Sequence, residues 1–170
     1  IIQESSALGC DMQWEDKDNW PTVRMQQPIW KDSRDVRIPS GFLEHPDNIT
    51  ITKSIEILRQ ELGNDIAIIG KTMGPWTLAY HVFGVENFLL MTVDDPAEVM
   101  RILLKLKEIS VRFGAAQIAA GVDALTFPDH ATGDLVSGEY YRRFLQDIHT
   151  EMVEALPVPL ILHICGATLD

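Results

Sequence analysis

Cysteine, basic residues and long apolar runs are all scarce in this chain, and each scarcity excludes a class of protein. Only Cys10 and Cys165 occur among 170 residues, which excludes a disulfide-rich domain and favours a reduced cytoplasmic protein. Fourteen basic against 25 acidic residues give a net charge of −11, which disfavours binding to nucleic acid or to an anionic membrane. No apolar run approaches the ~20 residues of a membrane span, and the first residues lack the pattern of a signal peptide.

Phosphate-binding loops are also missing. No G-x-G-x-x-G or G-x-x-x-x-G-K-[ST] follows a candidate strand, so the sequence does not indicate a dinucleotide- or nucleotide-binding protein. What remains is an ordinary globular composition, with 46% hydrophobic and 23% charged residues. Because the chain begins with Ile1 and ends just after a candidate strand, we interpret residues 1–170 as the central part of one larger domain.

Regular periodicity begins after an irregular stretch of about forty residues that contains Trp14, Trp20 and Trp30. Apolar residues at helical spacing predict a helix from about Thr50 to Gly63. The continuous apolar run 66–70 then predicts a strand that is buried on both faces.

Two further helix–strand units follow. Pro75 and Gly84 mark the start and end of a helix. Asp95, with Pro96 and a Glu98 capping box, begins a long helix that continues to Gly121. A strand over 122–127, a polar loop over 128–134, one helix capped by Ser137 and the apolar run 160–166 complete the pattern.

Strands that alternate with helices predict a parallel sheet with its chemistry at the carboxyl ends of the strands. Periodicity alone leaves a closed barrel and an open sheet equally possible. The strand spacing is compatible with a (β/α)8 barrel, which needs ~250 residues, so this chain would supply a partial barrel.

The most informative pair is His163 and Cys165, two residues apart in an apolar run that is typical of a buried strand. Alternate residues of a strand project from the same face, so the imidazole and the thiol point to the same side. Nitrogen and sulfur are the ligands that Zn²⁺ favours, and a catalytic zinc uses three protein ligands. The alternative is a core histidine beside a buried cysteine, and the spacing alone does not decide between the two.

Several segments together resemble the uroporphyrinogen decarboxylase superfamily, which has a TIM-barrel fold. Residues 70–78 resemble its G-x-x-x-x-P-W/F-[TS]-L segment, and residues 121–141 resemble the middle of its barrel. The L-H-I-C-G run at 162–166 is similar to the zinc strand of its methylcobalamin:coenzyme M methyltransferase branch. True decarboxylases have an F-D-S-W-A-G type motif where this chain has F-P-D-H-A-T-G at 127–133, and they lack the H-x-C pair.

The resemblance implies a zinc-dependent methyltransferase that moves a methyl group from methylcobalamin or a corrinoid protein to a small thiol such as coenzyme M. It implies that His163 and Cys165 are zinc ligands and that a third ligand, a cysteine, lies beyond Asp170. We also expect Asp129, His130 and Thr132 at the rim of the pocket. There they would orient the thiol or support His163.

Other residues keep an alternative. For Asp129 the alternative is a hydrogen bond to its own loop, and for His130 it is a solvated position in that loop. Met73 and Trp76 either bind substrate or belong to the core. We expect His149 on a helix surface, His81 packed within its helix and Cys10 as a small buried hydrophobe. Glu4 resembles a family acid near the mouth of the barrel, but its place near the start of the chain favours exposure. The competing functions are a metal-free decarboxylase acting on a tetrapyrrole and a corrinoid-protein docking module without turnover.

Overall fold

The computed structural model describes residues 2–13, 21–24 and 28–166 of the chain. Helices and strands alternate over most of this range, as the periodicity predicts. The helices are α1 (Gln3–Ala7), α2 (Pro46–Leu62), α3 (Pro75–Phe83), α4 (Val85–Asp94), α5 (Pro96–Ala120), α6 (Gly138–Phe144) and α7 (Gln146–Ala155). The strands are β1 (Met12–Gln13), β2 (Thr22–Val23), β3 (Ile69–Lys71), β4 (Ala124–Pro128) and β5 (Leu160–His163).

The sheet that organises the chain has the order β3-β4-β5, and both strand pairs are parallel. Its register places Lys71 opposite Thr126, and Pro128 opposite His163. The predicted parallel pairing is therefore confirmed, and the carboxyl ends of three neighbouring strands meet at one edge. The short strands β1 and β2 form a separate antiparallel pair.

Local signals explain where the long helices begin. The helix predicted from Thr50 begins earlier, at Pro46, where the His45 ring accepts a hydrogen bond from the Asp47 N–H. In α5 the Asp95 carboxylate accepts from the Glu98 N–H at 3.0 Å, as predicted. The prediction of a capping box is wrong, however. The Glu98 carboxylate accepts from the Ser33 N–H, and the Asp95 N–H donates to the Met91 carbonyl instead.

Two helical segments differ from the prediction. Residues 85–94 form α4, which the periodicity did not indicate. The single helix expected after Ser137 is two helices, since the backbone at Leu145 leaves the helical region with φ −122°. Leu145 is completely buried, so the break turns an apolar side chain into the core. Within the described ranges, no helix combines the length and apolar character needed to span a membrane.

The main core lies between the sheet and helices α3, α4 and α5, where α3 is almost entirely buried. The outer strands are less buried than predicted. Ile66 and Ile69 are 54% and 58% exposed, and Ile161 and Leu162 are 47% and 38% exposed. The expectations that 66–70 is covered on both faces and that the His163 strand is buried are therefore wrong within this chain.

The amino-terminal part contributes one short helix and several core side chains. The predicted irregular character holds for most of it, but α1 packs its buried side chains Glu4, Ser5 and Ala7 towards the sheet edge. Trp30 is buried against Phe83. Trp14 and Trp20 lie outside the described residues.

Candidate active site

A cavity of about 540 Å³ lies at the carboxyl ends of the parallel strands. Its wall includes Lys71 at the end of β3, Met73 just after it, His130 and Thr132 after β4, and Cys165 after β5. This is the edge at which parallel α/β folds place their chemistry. Three of the residues predicted for the site, Met73, His130 and Thr132, thus share one cavity with Cys165.

His163 and Cys165 are in contact at the end of β5. The His163 Nε2 lies 3.1 Å from the Cys165 Sγ, which confirms that both side chains project to the same side. Both residues are exposed in this chain, at the outer strand of its three-stranded sheet. An imidazole and a thiol that meet at the open edge of the sheet are available to a ligand.

The donor set fits zinc. Ordinary Zn–N and Zn–S distances in tetrahedral geometry separate the two donor atoms by about 3.6 Å, so a small rotation of either side chain suffices from 3.1 Å. Residues 2–13, 21–24 and 28–166 hold no group of three or more His, Cys, Asp or Glu side chains suited to a metal ion. His163 and Cys165 thus offer two donor atoms, one fewer than the three protein ligands that a catalytic zinc uses.

Asp129 is completely buried and does not lie at the rim of the cavity. Its Oδ1 accepts from the Thr77 N–H at 2.7 Å and from the Thr77 hydroxyl at 3.0 Å, and its Oδ2 contacts the His149 Nε2 at 2.9 Å. The expected rim position is wrong, because the carboxylate turns inward to the orphan N–H groups of the first turn of α3. The alternative that Asp129 bonds its own loop is not what the structure shows either.

The partner of Asp129 is a residue that the sequence pattern misplaced. His149 is 4% exposed and not on a helix surface, with its Nδ1 3.0 Å from the Tyr141 hydroxyl. Its ring packs edge-on against Phe127 at 5.3 Å. The signal available in the sequence was its spacing, since His149 lies between the buried Leu145 and Met152 on the inward face of α7.

His130 and Thr132 stand between Asp129 and the β5 end. The His130 N–H donates to the Thr77 hydroxyl at 2.8 Å. The His130 side chain is exposed, which agrees with the alternative of a solvated loop residue. Thr132 lies beside the turn at Gly166, where φ is +88° and an added Cβ would be 3.2 Å from the Thr132 Cβ. The glycine thus lets the chain after Cys165 pass close to Thr132.

Glu4 is fully buried, so its expected exposure is wrong. Its Oε1 accepts from the Met73 N–H at 2.7 Å, and its Oε2 lies 3.3 Å from the Lys71 Nζ. A buried carboxylate requires such partners. Helix α1 is therefore attached to the end of β3 and to the Met73 backbone at the cavity wall.

His81 is the second histidine of the cavity wall. Its Nδ1 lies 2.6 Å from the Ser5 hydroxyl, and burial lowers its pKa to about 4, with further lowering by Lys71 and His130. The ring is therefore neutral near pH 7. Cys10 is buried beside it, with its Sγ 3.7 Å from the His81 carbonyl oxygen, and burial raises the pKa of the Cys10 thiol to about 12. The prediction that Cys10 is a buried small hydrophobe is confirmed.

Trp76 belongs to the core. It is not exposed, does not line the cavity, and packs against Tyr80, Phe88 and Phe144. Of the two alternatives for Trp76 the structure thus shows the core position, whereas Met73 lines the cavity although it is only 2% exposed.

The parallel strands, their helical connections and the polar groups at the strand ends define the class of protein as an α/β fold with its candidate site at the carboxyl ends of the strands. The chain belongs to the uroporphyrinogen decarboxylase (URO-D) family, whose family model matches residues 1–170. The predicted fold class, a partial (β/α)8 barrel of this type, is confirmed.

Relatives within the family include methyltransferases, which match nearly the whole chain, and uroporphyrinogen decarboxylases, which match 62–76% of it. The chain is 30% identical over 167 residues to the methylated-thiol–coenzyme M methyltransferase of Methanosarcina mazei, which covers 98% of this chain and 45% of the relative. It is 28% identical over 161 residues to the methylcobamide:CoM methyltransferase MtaA of Methanosarcina barkeri, which covers 94% of this chain and 47% of the relative.

A solved structure described as a methyltransferase from Methanosarcina mazei superposes with a TM-score of 0.91 at 25% identity. The superposition covers 98% of this chain and 49% of that structure. The chain thus spans about half the length of the relatives it matches.

Proposed function

We propose that the protein to which this chain belongs is a methyltransferase that moves a methyl group from a methylated corrinoid to a small thiol such as coenzyme M. The observation that carries the proposal is the contact of His163 with Cys165, since the Cys165 side chain lines the cavity. Methylcobamide and coenzyme M stand in the names of its relatives, which supports the donor and the acceptor. A reducing cytoplasm suits a protein that works with free thiols.

We further propose that His163 and Cys165 are zinc ligands and that a third ligand, a cysteine, lies beyond Asp170. When bound, zinc would hold the acceptor sulfur as a thiolate near neutral pH, which makes it a nucleophile. The exposed imidazole nitrogen and thiol of this chain supply two donors and leave the cavity side open to the acceptor.

The other residues of the wall have supporting roles in this proposal. Met73 contributes an apolar contact, and Thr132 and His130 contribute polar groups to acceptor binding. His81, neutral near pH 7, adds a hydrogen-bonding ring without adding charge. Asp129 acts through its neighbours, because its carboxylate is fully buried.

The methyl donor is a corrinoid, either methylcobalamin itself or the cofactor of a corrinoid protein that docks at the carboxyl ends of the strands. We propose neither nucleic acid nor membrane as a partner, in keeping with the net charge of −11.

The test is methyl transfer from methylcobalamin to coenzyme M by the full-length protein. We expect turnover that falls by at least about 100-fold in His163→Ala and Cys165→Ser, since each removes a ligand from a three-ligand site. His45→Ala is the matched control, because His45 caps α2 far along the chain from the cavity wall.

Two outcomes would contradict the proposal. Decarboxylation of a tetrapyrrole without metal would show the lyase reaction instead. Binding of a corrinoid protein without any methyl transfer would show a docking module.

A further inference from the structure

A buried hydrogen-bond network connects the ends of all three parallel strands, and Asp129 is its centre. The carboxylate is completely buried, and its contacts reach Thr77 on α3 and His149 on α7. No atom of Asp129 lines the cavity. The side chain therefore has no direct access to a substrate.

The backbone on either side of this carboxylate extends the network to the candidate site. The Asp129 N–H donates to the His163 carbonyl at 3.0 Å, and the His130 N–H donates to the Thr77 hydroxyl at 2.8 Å. On the β3 side, the Gly74 N–H donates to the Pro128 carbonyl at 2.9 Å. One residue thus joins the His163 end of β5, the His130 loop and the first turn of α3.

The fit around the carboxylate is close. A Cβ added to Gly74 would lie 2.2 Å from the Asp129 Cγ, so the start of α3 packs its bare backbone against the side chain. Position 74 requires glycine because the Asp129 side chain lies so close to its Cα. Its backbone angles would allow other residues, since its φ is −70°. Such packing leaves Asp129 a single position.

The far side of the network is built on His149. Its Nε2 lies 2.9 Å from the Asp129 Oδ2, and because a carboxylate only accepts, the Nε2–H is the donor in this contact. Its Nδ1 lies 3.0 Å from the Tyr141 hydroxyl, and the residue is only 4% exposed. Tyr141, His149 and Asp129 thus form a continuous hydrogen-bonded chain.

We propose that Asp129 and His149 are positioning residues and that Thr77, which also lines the cavity, links them to His130; together they hold His130 at the cavity wall and the His163 end of β5 in place. None of them exchanges a proton with the substrate in this account. Because misplacement by about 1 Å costs an enzyme up to about 100-fold in rate, such support affects catalysis without contact with the reactants. The catalytic consequence of this inference rests on the proposed function, while the network itself does not.

The first test is the pair Thr77→Val and Thr77→Ser in the full-length protein. Valine keeps the shape of threonine and removes the hydroxyl that joins Asp129 to His130, whereas serine keeps that hydroxyl. We expect the His130 backbone N–H to exchange with solvent deuterium at least about tenfold faster in Thr77→Val, and Thr77→Ser to restore the slow exchange. Equal exchange in all three proteins would overturn the link.

The second test is nitrogen NMR of histidine-labelled protein, with the His149 signals assigned by their loss in His149→Gln. We expect Nε2 to carry a proton, which it donates to Asp129, and the Nδ1 signal to shift in Tyr141→Phe. A His149 ring protonated on Nδ1 alone would overturn the network.

The kinetic test separates the positioning role from the proposed function. In a protein that transfers methyl groups, Thr77→Val should lower kcat/KM by about 10-fold or more, and Thr77→Ser should recover most of it. Unchanged kcat/KM with lost His130 protection would overturn the positioning role. A wild-type protein without methyl transfer would instead contradict the proposed function, and the exchange and NMR results would still decide whether the network exists.

Discussion

At the scale of single residues, the chain buries polar groups where the local sequence suggested exposure. Glu4 stands near the start of the chain, and His149 lies on a helix with several charged residues. Both are buried because each has specific partners from a distant part of the chain: Met73 and Lys71 for Glu4, and Asp129 for His149. Such partners are invisible to a periodicity argument, which sees only neighbours along the chain.

Glu4 offers a direct stability test. Glu4→Ala leaves the buried Met73 N–H without an acceptor, and we expect it to lower the free energy of unfolding by about 1–3 kcal/mol. Glu4→Gln keeps an oxygen for the Met73 N–H and should lose less. Urea unfolding of the full-length variants measures both, and equal stability of Glu4→Ala and the wild type would contradict the assigned hydrogen bond.

His81 provides a test that depends on pH. Burial lowers its pKa from 6.5 to about 4, so between these values the unfolded chain binds a proton that the native protein does not. Its contribution to stability is therefore complete above pH 6.5, declines as the pH falls through this window, and levels off below about 4. We expect His81→Gln to show a smaller loss of Tm than the wild type between about pH 7 and pH 5. The same loss in both proteins would show that His81 does not titrate in this way.

At the scale of elements, the sequence predicted well the helix ends that local residues determine, and it missed the features that depend on tertiary packing. Helix α5 was predicted almost to the residue because Asp95, Pro96 and Gly121 mark its ends locally. The break at Leu145 and the extra helix α4 depend on which side chains the core accepts, and that is a tertiary property.

The exposed faces of β3 and β5 were also missed because they depend on tertiary packing. Apolar runs indicate what a strand can bury, but only the neighbouring elements decide what it does bury. At the site, the H-x-C spacing predicted the contact between His163 and Cys165, because strand geometry alone brings them to one side. The Thr77–Asp129–His149 network was missed, since its members come from three separate elements.

The cap of α5 tests the element scale. Asp95→Ala removes the acceptor for the Glu98 N–H, and we expect a loss of about 0.5–2 kcal/mol in the free energy of unfolding. Asp95→Ser retains a capping oxygen and should stay close to the wild type. If thermal unfolding ranks the two variants the other way, the Asp95 cap does not stabilise α5.

At the scale of the whole molecule, the chain brings three parallel strand ends to one cavity of about 540 Å³. Each strand end contributes a different chemistry to it. The β3 end carries the Glu4–Lys71 pair, the β4 end carries the Asp129 network and His130, and the β5 end carries His163 and Cys165. Only the last of these offers nitrogen and sulfur donors in contact, so the proposed reaction depends on it.

The metal content of the full-length protein tests this central claim most directly. Elemental analysis after purification under reducing conditions should find one zinc per chain in the wild type and in His45→Ala, and a loss of most of it in His163→Ala and in Cys165→Ser. A wild-type protein without zinc, or variants that keep it at full stoichiometry, would contradict the assignment of His163 and Cys165 as ligands.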